Sequence, residues 1–156
     1  MKQDLSASKI LLIGIGNEFR EDDGLGLYIA RHAQIRRLQN LSVMENSGDG
    51  MAMIDAWKNA GTVVLVDAVR SGRPPGTIFH FDFLQHPVPA DIFILSSHDI
   101  GIPECVALSI KLQLLPQKLL FYGIEGAFFG QGKHLSPAVT AAATVLVDQI
   151  VKDFGN

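Results

Sequence analysis

Two short runs that leave no polar face constrain this chain more than anything else in it. KILLIG (Lys9–Gly14) is apolar after its first residue and closed by glycine, and TVVLVD (Thr62–Asp67) is the clearest run of this kind. A strand that is apolar on both sides needs cover on both sides, and a largely parallel sheet wrapped by helices supplies it. The intervening stretches have helical spacing. Gly24–Leu38 sets Leu25, Ile29 and Ala33 four apart and ends in basic residues, and Met51–Ala60 follows the turn SGDG. Ile102–Leu115 carries Val106, Ile110 and Leu114 in register. The last helix opens with Ser136 as N-cap and Pro137 in the first turn, then repeats Val139, Ala143, Leu146 and Ile150. Leu41–Met44 and Leu119–Gly123 read as further strands. Thr77–Phe83 alternates, with Phe79, Phe81 and Phe83 on one face, as a half-exposed strand does. The resulting order, β-α-β-α-β-β-α-β-α, predicts an α/β three-layer sandwich: a mostly parallel five-stranded twisted sheet with helices on both faces.

At 156 residues the chain fits one domain, taken as 1–156, with a polar and flexible stretch over 1–8. A net charge of −3 argues against nucleic acid as partner, because phosphate binding needs a basic surface. The single cysteine, Cys105, excludes an internal disulfide and any multi-cysteine zinc site; it reads as a small buried apolar residue. No apolar run approaches the roughly 20 residues of a membrane helix, and the N-terminus has no signal-peptide core. The expectation is a soluble, cytoplasmic monomer with no membrane association.

In open α/β sheets ligands bind beyond the carboxyl ends of the strands. Three polar segments fall there: Gly14–Gly26 (GIGNEFREDDGLG), Asp67 closing the third strand, and Ser96–Gly101 (SSHDIG) before the third helix. A dinucleotide reading of the first fails. Phe19 stands where GxGxxG needs its third glycine, and Glu21, Asp22 and Asp23 would repel a pyrophosphate. Each element also has a structural reading: the acidic residues as helix caps, Asp67 in an Asx-turn, His98 as an ordinary loop histidine. Together, two carboxylates and an imidazole can give three oxygen or nitrogen ligands to one nickel or zinc ion and leave positions open for substrate or water. The spacing is not HExxH, and no G-x-S-x-G elbow occurs.

These residues resemble those of the hydrogenase maturation endopeptidases. That family's hallmark is a first strand running into Gly-x-Gly-Asn, four residues, then Asp-Asp/Glu-Gly-x-Gly; here it reads Gly14, Ile15, Gly16, Asn17, then Asp22, Asp23, Gly24 and Gly26. Asp67–Ala68, Ser96–Gly101, SGDGM, YGIEG and LSPAV follow in the family's order, so the resemblance covers nearly the whole chain. It implies a largely parallel five-stranded sheet between helices. It also implies an endopeptidase that removes the C-terminal peptide of a nickel–iron hydrogenase large-subunit precursor after nickel insertion. The implied metal-contacting and catalytic residues are Asp23, Asp67 and His98. Some members have glutamate where Asp23 stands, and some have aspartate where Glu45 stands.

The expected mechanism uses nickel held by the precursor, with zinc or cadmium as substitutes in vitro. The metal polarises the scissile carbonyl or activates a water, or a carboxylate acts as general base. Asp22 is read as a cap and Asp49 as support for its turn. Two rivals stand beside this reading: a non-catalytic nickel-binding maturation checkpoint protein, and a nucleotide-processing α/β enzyme with phosphate-binding backbone at Gly14–Asn17.

Overall fold

The computed structural model describes residues 10–58, 60–87, 89–93 and 101–155. Residues 1–8 and most of the Ser96–Gly101 segment, His98 included, lie outside the described residues.

The two solvent-free runs occupy the centre of one five-stranded sheet. Its strands are β1 (Ile10–Ile15), β2 (Leu41–Asn46), β3 (Thr62–Val69), β4 (Ile78–Asp82) and β5 (Lys118–Glu125), in the order β2-β1-β3-β5-β4. β1 pairs in parallel with β2 and β3, and β3 in parallel with β5; only the edge strand β4 is antiparallel. Helices α1 (Leu25–Ile35), α2 (Gly50–Trp57), α4 (Ile102–Leu112) and α5 (Pro137–Phe154) follow the expected alternation, and a four-residue α3 (Ala90–Phe93) adds to it.

β3 explains why its sequence is uniformly apolar. Val64 and Val66 join one core with Leu25, Ile29 and Ala33 of α1 and Val139, Ala143, Leu146 and Ile150 of α5. Val63, Leu65 and Val69 join a second core with Met53, Ile54 and Trp57 of α2 and Ile102, Cys105 and Val106 of α4. Alternate residues of an extended strand point to opposite faces, so both faces are dry and the run from Val63 to Val66 is apolar throughout. In the second layer Trp57 Nε1 donates to Ser109 Oγ at 3.0 Å, satisfying two buried polar groups at the contact between α2 and α4.

Several boundaries differ from the sequence reading. β3 runs two residues beyond Asp67, and β5 two beyond Gly123, because the two strands keep pairing through Asp67↔Gly123 to Val69↔Glu125. Asp67 is therefore a strand residue and not the start of an Asx-turn. α4 stops at Leu112, where Gln113 enters the left-handed region (φ 56°). Its buried face is Ile102, Cys105, Val106 and Ser109, while Ile110 is 59% exposed. Steps of four overshoot a helical turn by about 40° each, so a stripe drawn only at that spacing drifts off the contact face. α1 begins one residue later than expected, after a 3₁₀ turn over Glu21–Gly24, and ends before Arg37 (φ 51°).

The glycines of GIGN and DDGLG let α1 lie directly on β1. A Cβ on Gly14 would sit 2.7 Å from the Ala30 Cβ, and one on Gly26 would sit 2.6 Å from the Val66 carbonyl oxygen and inside that of Ile15. A Cβ on Gly16 would overlap the Asp23 carbonyl. These contacts are to backbone or to a neighbouring element, so relief would require moving the helix off the sheet. Gly26→Ala is expected to lose about 3 kcal/mol or more in urea unfolding; a variant as stable as the parent would show that α1 does not lie this close.

Candidate active site

The acidic turn is stitched into the molecule through its backbone and its side chains. Asn17 N–H donates to the Asp23 carbonyl (3.1 Å) and Asp23 N–H to that of Arg20 (3.2 Å), closing the loop after β1 on itself. The Glu21 and Asp22 amides donate to the carbonyls of Gly132 (2.8 Å) and Phe128 (3.0 Å). Glu21 holds a left-handed backbone (φ 54°), a conformation costing on the order of 1 kcal/mol for a residue with a side chain. Its carboxylate accepts from Gly130 N–H at 3.0 Å.

Asp22 is fully buried, and its carboxylate accepts four hydrogen bonds. Oδ2 takes the amides of Ala127 (2.7 Å) and Phe128 (3.0 Å) and the Ser136 hydroxyl (2.9 Å); Oδ1 takes the Ser136 amide (2.7 Å). Asp22 does cap a helix, but the helix is α5 and not the one it precedes. Ser136 occupies the N-cap position of α5 without a side-chain capping bond, its hydroxyl being given to Asp22. The carboxylate thus supplies the acceptor and the negative charge that a helix N-terminus favours.

Asp23 and Asp67 are brought to the same end of the sheet. Both are buried, at 4% and 6% exposure. The turn bearing Asp23 packs against β3, the strand bearing Asp67. By strand alternation Asp67 shares the face of Leu65 and Val69, which is the α4 side, and the segment holding His98 leads into α4. Among the described residues no group of three or more potential ligands could hold a metal ion, and His98 is not among those residues. Two hard oxygen donors suit a divalent ion of the nickel or zinc kind only with further ligands from elsewhere.

A family model described as hydrogenase maturation protease matches residues 27–153. The chain belongs to that family. Among curated relatives, the hydrogenase expression/formation protein HupD of Thiocapsa roseopersicina is 27% identical over 150 residues, covering 94% of this chain and 68% of that protein. The hydrogenase 2 maturation protease of Escherichia coli K12 is 23% identical, with 92% and 88% covered. The fold is that of the E. coli hydrogenase maturating endopeptidase HybD: TM-score 0.79 at 22% identity, covering 93% of this chain and 91% of that one. The Thermococcus kodakarensis KOD1 maturation protease HycI gives 0.75, also at 22% identity, with 96% and 94% covered.

As a hydrogenase maturation protease the chain is a peptidase, the reading its sequence favoured over a non-catalytic checkpoint protein. The nucleotide alternative also loses its structural basis. The Gly16 and Asn17 amides donate to the carbonyls of Asn46 (3.0 Å) and Asp23 (3.1 Å), so they are spent inside the fold and are not offered to a phosphate. Among the described residues no helix is long and apolar enough to cross a membrane.

Other polar residues of this rim acquire structural roles. Asp49 caps α2, accepting from Ala52 N–H at 3.0 Å, as its turn position implied. Glu45 and Glu18 both pair with Arg31, at 2.8 and 3.1 Å. The hydrogen bond from Arg31, with its charge, holds the Glu18 carboxyl below its ordinary range. Glu125 is a further carboxylate of this rim, at the end of β5 and two residues beyond the Gly123 that the sequence predicts as the strand's end. It is buried and accepts from Ser71 N–H (2.8 Å), Ser71 Oγ (2.7 Å) and Gly72 N–H (2.8 Å), which ties the turn after β3 to the end of β5. The signal for it was a carboxylate ending the otherwise apolar run LLFYGIE.

Cys105 is fully buried, and burial pushes its thiol pKa up, with Glu104 adding to the effect. A raised thiol pKa stabilises the fold below the unfolded value of about 8.5 and is lost as pH rises through the folded value. The native thiol should therefore resist iodoacetamide at pH 8 and react only in urea; rapid native labelling, read by mass, would contradict its burial.

The Asp22 geometry gives a second expectation. Asp22→Asn places an amide N–H₂ against donors at one oxygen position, and should cost about 3 kcal/mol. Hydrogen exchange should then speed at the Ala127, Phe128 and Ser136 amides. Unchanged exchange there would show that the carboxylate does not anchor this loop.

Proposed function

We propose that this protease removes the C-terminal peptide from the large-subunit precursor of a nickel–iron hydrogenase after nickel has been inserted, acting as a monomer in the cytoplasm. The observation that carries the reading is the pair of buried carboxylates, Asp23 and Asp67, at the carboxyl end of the sheet in a member of a maturation protease family.

Nickel belongs to the substrate in this account. Asp23 and Asp67, with His98 as the nitrogen donor, would add ligands to an ion that the precursor already holds. An ion so bound polarises a scissile carbonyl or lowers the pKa of a water. The chain's own part is positional. Asp23 is fixed by a turn closed through Asn17 and Arg20 and anchored by its neighbours Glu21 and Asp22. Asp67 is fixed by its pairing with Gly123 of β5, in a ladder that continues to Val69↔Glu125. A carboxylate oxygen not engaged by the ion would take a proton from the attacking water. Zinc or cadmium, offering similar coordination, would substitute in vitro. Oxygen and nitrogen donors alone leave the coordination incomplete, so the isolated protein should hold any of these ions only weakly.

The test is processing in cells that lack the native protease gene. Asp67→Asn and His98→Gln should each abolish the mobility shift of the large subunit while melting within a few degrees of the parent. The amide of Asn is nearly isosteric with the carboxylate but is a poor ligand, and Gln keeps hydrogen bonding without an imidazole nitrogen. Wild-type processing by Asp67→Asn would remove that residue from the site; loss of fold would make its role structural.

A further inference from the structure

The rim also carries a cleft that the two site carboxylates do not occupy. It has a volume of about 770 Å³ and is walled by Glu21, Arg70, Arg73, Glu125, Phe128 and Phe129. Ligand pockets usually span about 300–1,000 Å³. Arg70 follows the end of β3, three residues beyond Asp67, which at about 3.3 Å per extended residue puts its backbone roughly 10 Å from that aspartate. Glu21 stands two residues before Asp23. The cleft therefore shares the turn after β1 and the end of β3 with the two aspartates, although neither of them lines it.

We infer that this cleft receives a segment of the precursor in extended form, with an acidic side chain paired to Arg70 and an apolar one against Phe128; this rests on the proteolytic reading above. Glu125 and Glu21 keep their negative charge but are turned to the chain's own donors, Ser71 and Gly72 for Glu125 and Gly130 N–H for Glu21. Arg73 is paired with Asp91 at 2.7 Å. Arg70 is exposed and, among the described residues, forms no ion pair; its guanidinium carbon lies 5.5 Å from the centroid of the Phe129 ring. A guanidinium stacked on an aromatic face keeps its edge donors available for a carboxylate.

The aromatic wall is stiff. Phe128 is 61% exposed, yet its amide is held by Asp22 Oδ2, and the Phe129 carbonyl accepts from Arg20 Nη2 at 3.1 Å. A large apolar side chain held out in water by a buried network is what an anchor for a partner requires, and aromatic residues with arginine are enriched at such anchors. On a chain of net charge −3, a guanidinium that forms no ion pair among the described residues favours an acidic side chain at its own point of the cleft.

The probes are three fluorescein-labelled peptides of one design, Ala-Phe-Xaa-Ala-Xaa-Phe-amide, with Xaa as Glu, Gln or Lys. Binding to the full protein is read by anisotropy. The Glu peptide should bind about tenfold more tightly than the Gln peptide, and the difference should shrink as salt rises. Arg70→Gln should abolish the difference at an unchanged melting temperature, and Arg70→Glu should reverse it towards the Lys peptide. Phe128→Ala should weaken all three peptides alike. Equal affinity for the three peptides, or discrimination that survives Arg70→Gln, would overturn the inference. So would a dimer of the free protein that Phe128→Ala converts to monomer, since the patch would then belong to a second copy. Precursor cleavage by the unmodified protein is followed in parallel and bears on the protease reading alone, so the two can fail separately.

Discussion

A carboxylate stripped of water survives in a fold only when hydrogen bonds replace the lost solvation, and Asp22 meets that condition with donors from two separate parts of the chain. It takes two amides from the loop after β5 and both donors of Ser136 at the head of α5. The turn after β1, the aromatic loop and the last helix are thereby fixed to one point. Its neighbour Asp23 inherits that rigidity, since a turn held at Glu21 and Asp22 leaves little freedom for the next residue. The cost of burying one acid is thus met by neutral donors, and its benefit is a second acid held in a fixed place.

The glycines of the same motif solve a different problem. Gly14 and Gly26 bring α1 within backbone contact of β1 and β3, and Gly16 lets the turn fold back on the Asp23 carbonyl. Close approach is what puts an acidic turn over the end of β3 instead of out in solvent. The acidic and glycine residues of the signature are thus one device, in which backbone contact brings the turn in and the buried acid locks it.

The sheet was legible because its central strands are covered on both faces, which forces unbroken apolar runs at β1 and β3. The α5 stripe was legible for the same reason on a helix. Strand ends were not, since β3 and β5 continue past their apolar stretches by pairing with each other, and pairing leaves no mark on composition. That is why Asp67 read as a terminus and why Glu125 went unnoticed. Spacing marked Asp22 as a cap but could not name its helix, because Ser136 lies 114 residues away in sequence. Asp23 and Asp67 stood out as acids at carboxyl ends of strands, which depends only on topology. His98, the third member of that set, lies outside the described residues.

The account comes down to whether this protease cuts a nickel-bearing precursor at one place. Purified large-subunit precursor, prepared with and without nickel, would be incubated with the purified protein and weighed by intact mass spectrometry. The account predicts a single C-terminal peptide released from the nickel-loaded form, with the nickel-free form left at full mass. Equal cleavage of both forms, or full-length precursor after incubation in the presence of nickel, would contradict it.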